Sequence, residues 1–437
     1  MRVGRAAHGS ERFGPTGSAT PWKGDSCASR GAEPTDKVGP SMRSWCGQSR
    51  LFTTSYAGGH RCAILSQPGC RPGACRVGWA GGGAVTDARA ADLLGLSPAA
   101  GCGCKVPMRK LSGFMSAVDD MVGTLNSTRR VHTDGRSRDD AALYEIAPDR
   151  LLAVTVDFGT PVSSDAATWG RIAALNALSD IFAMGATPLV ALSVLGWPEG
   201  VGKAQMVALT RSAVDALSEA SAVLLGGHTI TSSMPLFGLA VVGTARPGEV
   251  MLIRNAQPGQ LLILTKPLGT GIVMAAVKAG VVGPETASAA EAVMASSNRT
   301  SAELAVSAGV RAATDVTGYG LTGHLHNMLS ASGHAADVDL YRVPALAAAE
   351  RLLEEHGVVP NSAERNYFEL EKEIDWGRTP LAMRFLMSDP QTSGGLLLAA
   401  APEVAARFLE ACSKARQFAA VIGTVTSGRP GAVRVRA

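Results

Sequence analysis

Leu151-Leu152-Ala153-Val154-Thr155-Val156-Asp157, followed by Gly170-Arg171-Ile172-Ala173-Ala174-Leu175-Asn176-Ala177-Leu178-Ser179-Asp180-Ile181-Phe182-Ala183-Met184-Gly185, decides the fold class. The first run is apolar and rich in β-branched residues, and it reads as a buried strand over 151–156 ending at Asp157. The second is apolar at helical spacing through Ile172, Leu175, Leu178 and Phe182. It is stopped by Gly185 with Pro188 beyond, so it predicts a helix over 170–184. Asn176 and Asp180, four residues apart, share a different face of that helix. Working outward, apolar runs predict strands over 189–195, 222–225, 237–242 and 261–265, with a helix near 203–220. Strands alternating with helices give an α/β class.

Composition agrees. The 437 residues are 46% hydrophobic but only 5% aromatic, enough to bury a large core in two or three domains. No apolar run reaches the length of a membrane span, which predicts a soluble, cytoplasmic protein without a membrane partner. The net charge of +4 is unevenly distributed: residues 1–90 hold twelve Lys/Arg against five Asp/Glu, a local +7, which leaves −3 on the remainder. A mildly acidic body argues against a nucleic-acid partner.

Residues 1–90 do not read as a folded domain. They contain sixteen of the fifty glycines and five of the eight cysteines, Cys27, Cys46, Cys62, Cys70 and Cys75, with no sustained periodicity. A disulfide-rich secreted module needs a signal peptide, and no continuous apolar segment is present for one. The Trp, Gly and Cys content fits an organelle transit peptide poorly. The reading adopted is a disordered or wrongly assigned upstream extension, and removal of residues 1–84 is expected to leave activity intact.

Just inside the regular region lies Gly101-Cys102-Gly103-Cys104-Lys105, ahead of a helical spacing through Leu111, Phe114, Met115, Val118, Val122 and Leu125. Two thiols and an ammonium on glycine-loosened backbone suggest chemistry, since a nearby cation favours the nucleophilic thiolate. Inert surface thiols or half a metal site are the competing readings. Asp139 and Asp140 follow Ser137-Arg138, Asp157 ends a strand, Asp180 looks out from a helix, and Asp315 opens Asp315-Val316-Thr317-Gly318-Tyr319-Gly320. Each alone reads equally as a solvated carboxylate. Together, without a Cys/His framework, they point to Mg2+ rather than Zn2+. His324 and His326, two apart on a helix, diverge and chelate poorly. Two glycine turns are available for phosphate: Gly226-Gly227-His228-Thr229 after one strand, and Lys266-Pro267-Leu268-Gly269-Thr270-Gly271 between a strand and a helix whose amides face an anion. Either is also readable as an ordinary tight turn. The chain has neither a Walker motif nor a Rossmann fingerprint in a βαβ context, so an ATP site here is of another kind.

Taken in order, these motifs resemble the selenophosphate synthetase family, also called selenide, water dikinase. The matching segments begin with Gly101-Cys102-Gly103-Cys104-Lys105, Arg138-Asp139-Asp140-Ala141-Ala142, Thr155-Val156-Asp157-Phe158 and the run 170–185. They continue through Leu195-Gly196-Trp197-Pro198, Gly226-Gly227-His228, Leu264-Thr265-Lys266-Pro267-Leu268-Gly269, Thr314-Asp315-Val316-Thr317-Gly318, Glu364-Arg365-Asn366 and Asp389-Pro390-Gln391-Thr392-Ser393-Gly394-Gly395. Coverage runs from about residue 95 to the end. One departure precedes the cysteines, where Ser97-Pro98-Ala99-Ala100 replaces the family's His-Gly-rich segment and should stiffen the loop.

The resemblance implies the two-domain α/β (α+β) fold of the aminoimidazole ribonucleotide synthetase-like superfamily. Its N-terminal α/β domain, over 91–250 here, contributes to a barrel in a homodimer, and a C-terminal α/β domain follows over 251–437. It implies synthesis of selenophosphate from ATP, selenide and water, with release of AMP and orthophosphate. Carried over by motif, Cys102 on a mobile loop and Lys105 are catalytic, and Asp140, Asp180 and Asp315 are Mg2+ ligands. Lys105, Ser137, Arg138, Asp139, Asp157, Asp180, Gly227, His228 and Thr229 contact ATP or its metals. Cys102 is read as the selenium-handling thiol, Cys104 as accessory or inert, and Cys412 as core. The alternatives are another ATP-dependent kinase or synthetase of the superfamily, or a non-catalytic selenium carrier.

Overall fold

The computed structural model describes residues 51–53, 63–65, 91–108, 110, 111, 118, 130–135 and 137–436. Most of the helix expected over 111–125 lies outside the described residues, although Met108, Lys110, Leu111 and Val118 are helical. In the N-terminal region, strands β1 (Leu51–Thr53) and β2 (Ala63–Leu65) pair antiparallel. The remainder of the reading for residues 1–90 falls outside the described residues.

A first sheet contains β3 (Val131–Thr133), β4 (Ala142–Ala147), β5 (Arg150–Gly159), β6 (Thr187–Trp197), β7 (Val223–Thr231) and β8 (Leu236–Ala245), in the order β3-β4-β5-β8-β6-β7. Only β6 and β7 run parallel. Side chains alternate across a strand, so β5 sends Leu151 and Ala153 inward, fully buried, and Val154, Val156 and Phe158 outward. Those outer residues are 42%, 57% and 48% exposed. The strand is therefore half-buried, not buried on both faces as its unbroken apolar run suggested: that run makes two separate apolar faces.

Helices α1 (Ala166–Ala183) and α2 (Lys203–Glu219) cover the inner face. α1 begins earlier than its apolar spacing suggested, because the Asp165 carboxylate accepts the Thr168 N–H at 2.7 Å and caps it. It stops at Gly185, as expected, with φ at 69°. Trp169 of α1 stacks on Trp197 at 6.5 Å between centroids and meets Phe237 edge-on at 6.2 Å, which ties helix to sheet. Gly226 and Gly227 lie inside β7, not after it, because pairing with β6 carries the strand through them.

The second sheet contains β9 (Leu261–Leu264), β10 (Ala312–Asp315) and β11 (Ala335–Asp339), while the short β12 (Val358–Val359) pairs with β2. β13 (Ile374–Asp375), β14 (Leu396–Ala400), β15 (Ala420–Thr426) and β16 (Val433–Arg436) complete the order β10-β14-β9-β15-β11-β16-β13. Leu262–Leu264 and Leu396–Ala400 are buried throughout, as unbroken apolar strands at a sheet centre should be. Among its helices are α3 (Thr270–Lys278), α4 (Gly320–Ser332), α5 (Asn361–Leu370) and α6 (Pro402–Lys414). Cys412, on α6, is 1% exposed and belongs to the core, as expected. Two mixed sheets with helices make an α/β architecture, and α1 stands between the first sheet on one side and β10 with the turn before β14 on the other.

Candidate active site

The inner face of β5 changes character along its length: after Leu151 and Ala153 the same alternation places Thr155 and Asp157 against α1. There Thr155 Oγ1 donates to Asp180 Oδ2 at 2.6 Å, and Asn176 Nδ2 donates to Asp157 Oδ2 at 2.9 Å. Asp140 arrives from the residues before β4, where its Oδ1 accepts from Thr314 Oγ1 at 2.9 Å. The next residue, Asp315, ends β10.

Carboxylate oxygens of Asp140, Asp180 and Asp315 consequently lie within 4.8 Å of one another. Burial raises all three carboxyls above the ordinary range; Asp315 is the next cause for Asp140 and Asp180, and Asp315 itself is pushed up to about 6. Oδ2 of Asp140, of Asp315 and of neighbouring Asp139 is buried without a hydrogen-bond partner among the described residues. Crowded carboxylates with unpartnered oxygens fit a hard cation, and an all-oxygen donor set suits Mg2+ better than Zn2+. None of the three is the solvated surface group that each could have been alone.

The cysteine motif folds as a 3-10 turn over Gly101–Cys104, seated on the same site. Gly101 has φ at 49°, and a Cβ there would stand 2.2 Å from Thr392 Oγ1, so the close approach requires glycine. The Cys102 N–H donates to Thr392 Oγ1 at 2.9 Å, and its Sγ lies 3.5 Å from Asn176 Oδ1. Lys105 Nζ donates to Asp157 Oδ2 at 2.8 Å. Burial opposes the ammonium, but Asp157, Cys102 and Asp180 outweigh it and hold Lys105 well above its usual range.

The thiol contradicts the expectation that Lys105 makes it a thiolate. Cys102 is 4% exposed, and burial pushes it up to about 12, overriding the lysine, so in this arrangement it is a protonated thiol. A cavity of about 20 Å³ beside it is lined in part by Val162, Trp169, Phe237 and Asn176. Cys104 is exposed.

Other expected site residues divide. The Asp139 Oδ1 accepts the Ile253 N–H at 2.9 Å, while burial raises this carboxyl as well. The Ser137 hydroxyl donates to Asp134 O at 2.8 Å, and Arg138, with φ at 58°, reaches Asn327 Oδ1 at 3.5 Å. Gly227, His228 and Thr229 are exposed on edge strand β7. Gly227 aligns with Ser193, Leu239 and Asp157 across three strand pairings, roughly 14 Å from Asp157 at about 4.8 Å per strand. Their own chain does not bring them to the carboxylates.

The turn at 266–271 is not an open anion site. Its amides are taken: Gly269 and Thr270 N–H donate to Gln391 Oε1, both at 3.1 Å, and Gly271 and Ile272 N–H donate to Asp389 Oδ2 at 3.0 and 3.2 Å. A side-chain carboxyl and a carboxamide stand where a phosphate was envisaged. His324 and His326 diverge as expected: the first accepts the Thr317 N–H at 3.1 Å, and the second pairs with Gly431 O at 2.9 Å.

Asn176, Thr155, Thr314 and Thr392 are site residues that residue-by-residue reading missed. Asn176 binds Asp157, accepts the Ser393 N–H at 2.7 Å and faces Cys102. Its i,i+4 relation to Asp180, and the i,i+2 relation of Thr155 to Asp157, were the available signals.

Fold and donor set together define an AIR synthase-related protein. Residues 138–245 match the family described as AIR synthase related protein, N-terminal domain, and residues 257–436 match the corresponding C-terminal domain. A thiamine-monophosphate kinase from Stenotrophomonas maltophilia K279a shares the fold at a TM-score of 0.54 and 21% identity, over 73% of this chain and 95% of that one. Within that class the chain belongs to the selenide, water dikinase family. It is 39% identical to the selenide, water dikinase of Myxococcus xanthus over 78% of this chain and 96% of the relative. Against that of Bordetella bronchiseptica it is again 39% identical, over 78% and 97%.

Proposed function

We propose that this protein makes selenophosphate from ATP, selenide and water, releasing AMP and orthophosphate; that its relatives are named selenide, water dikinase supports the reading. The observation that carries the reading is the convergence of the Cys102–Lys105 turn and three buried carboxylates, joined through the Lys105–Asp157 pair. Hydrogen selenide is already an anion near neutral pH, so no strong general base is needed. The difficulty is bringing one anion onto a polyanionic triphosphate.

Asp140, Asp180 and Asp315 would hold magnesium, with Asp139 Oδ2 at its margin. Bound there, the ion neutralises phosphate charge. Lys105, kept charged by Asp157, stabilises negative charge developing on the transferred group. Ser137, Arg138 and Asp139 lie beside Asp140 in sequence and take the nucleotide. Cys102 handles selenium, and it must leave its present bed to ionise.

The protein acts as a homodimer, with an N-terminal domain over 91–250 and a C-terminal domain over 251–437. The outer face of the first sheet leaves Val154, Val156, Phe158, Leu192 and Leu225 between 42% and 65% exposed, an apolar surface suited to a second copy. Pairing there supports a role for Gly227, His228 and Thr229 in nucleotide contact, since their own carboxylates are out of reach.

The test is AMP release from ATP with and without selenide, on the full chain and on protein beginning near Val85. Selenide-dependent AMP is expected from both. Selenide-independent ADP would make the protein an ordinary kinase, and stoichiometric selenium binding without turnover would make it a carrier.

A further inference from the structure

A second cation stands beside the Cys102–Lys105 turn. α5 lies against that turn and against two residues outside it, Met108 and Gly318. Ser362 Oγ is 3.2 Å from the position of a Cβ on Gly103, Asn366 Nδ2 donates to Gly318 O at 3.0 Å, and Glu369 Oε2 accepts the Met108 N–H at 3.2 Å. A Cβ on Gly318 would in turn stand 2.9 Å from both Cys102 O and Lys105 Cδ, so turn, glycine and helix form one packed unit. Ser362, Arg365 and Glu369 follow one another at steps of three and four residues and share one face of α5.

On that face Arg365 Nε and Nη2 are buried, and among the described residues neither has a hydrogen-bond partner. Buried guanidinium nitrogens are costly to leave unpaired, and such a group calls for an explanation in terms of something it binds. Its planar fork of donors matches an oxyanion, which a lysine meets only as a point charge. Tyr319, whose hydroxyl donates to Val106 O at 3.3 Å, lies where both cations are felt: burial raises its phenol, and Lys105 and then Arg365 oppose that rise.

We propose that Arg365 binds a phosphoryl group on the cysteine side of the site, sharing it with Lys105. The assignment rests on the phosphoryl-transfer reading above and adds to it the residue that receives the tetrahedral oxyanion. That oxyanion has two sources, the terminal phosphate of a bound nucleoside triphosphate and free orthophosphate.

The test is calorimetric titration, without selenide, of the full chain and of Arg365→Gln and Arg365→Lys. The titrants are a non-hydrolysable ATP analogue with Mg2+ and, separately, inorganic phosphate. Loss of charge-assisted hydrogen bonds predicts a roughly ten- to hundred-fold weaker association for Arg365→Gln. Arg365→Lys should retain part of it, and the ligand-free melting temperature should be unchanged or higher. Weakening of the analogue alone assigns the nucleotide's terminal phosphate, weakening of phosphate alone assigns the product, and weakening of both assigns a shared position. Unchanged affinity for both, a wild type that binds neither, or a lowered ligand-free melting temperature with both affinities intact would overturn the assignment. Because selenide is absent, a wild-type chain that binds phosphate through Arg365 but makes no selenophosphate defeats the proposed reaction and leaves the arginine's role standing.

Discussion

Lys105 Nζ and Asp157 Oδ2 meet at 2.8 Å, across the gap between the cysteine turn and the strand that borders the carboxylate cluster. The lysine side chain keeps 28% exposure and the aspartate 9%, so the pair is shielded without being sealed from substrate. Lys105→Met should reduce selenide-dependent AMP formation by about 10²-fold or more, the usual cost of losing one charge-stabilising donor. Lys105→Arg should not restore it, because the fork cannot occupy the same point. Steady-state rates beside melting curves check this; a variant that melts normally yet turns over at the wild-type rate would remove Lys105 from the chemistry.

Three crowded carboxylates repel until a cation joins them. Asp180→Asn should therefore melt no lower than wild type in magnesium-free buffer, while losing the stabilisation that Mg2+ confers on the wild type. At a hundredfold excess over Kd that gain is about 2.7 kcal/mol. Melting scans with and without Mg2+ decide it, and an undiminished Mg2+ response would place the ion elsewhere.

The two thiols of the turn should separate by reactivity. With Cys102 held near 12, about one molecule in ten thousand carries its thiolate at pH 8, whereas Cys104 is exposed. Timed alkylation followed by peptide mapping should label Cys104 at least ~10²-fold faster than Cys102 in the unliganded protein. Equal rates would contradict the buried turn.

Asp389 gives the fold a pH dependence. Burial pushes its carboxyl up to about 8, only partly offset by Gln391 and the amides of Ile272 and Gly271, whereas unfolded it ionises near pH ~4. Between those values the folded chain holds a proton that the unfolded chain has released, so stability falls as pH rises through that window. Asp389→Asn, which copies the protonated shape, should flatten that slope in denaturant titrations from pH 5 to 8. A slope unchanged by the substitution would assign the proton to another group.

The open face of the first sheet predicts its own partner. Val156 is 57% exposed at the middle of β5. Val156→Asp should convert a dimer to monomers by light scattering, leave the melting of the monomer nearly unchanged, and lower turnover if β7 serves the partner's site. A dimer that survives the substitution places the interface on another surface.

Local pattern was enough to read the strand and helix order, because an unbroken apolar run marks the strand within Arg150–Gly159 and apolar residues at helical spacing mark the helix within Ala166–Ala183. Element ends were less legible where the deciding contact is distant or polar. The Asp165 cap lengthened one helix, and pairing with β6 carried β7 through two glycines. The turn at 266–271 looked like an anion site because its own amides are local, while Asp389 and Gln391, which occupy them, come from more than a hundred residues away.

Residue identity alone established which chemistry this chain can carry: two thiols, one lysine and a scatter of aspartates in a recognisable order. Tertiary structure decided their states. It gathered Asp140, Asp180 and Asp315, some 175 residues apart at the extremes, within 4.8 Å, where lost solvent and mutual repulsion raise their carboxyls and set them apart from three surface charges. It also buried Cys102, and there desolvation outweighs the pull of a neighbouring lysine, a balance set by packing that no spacing of residues along the chain records.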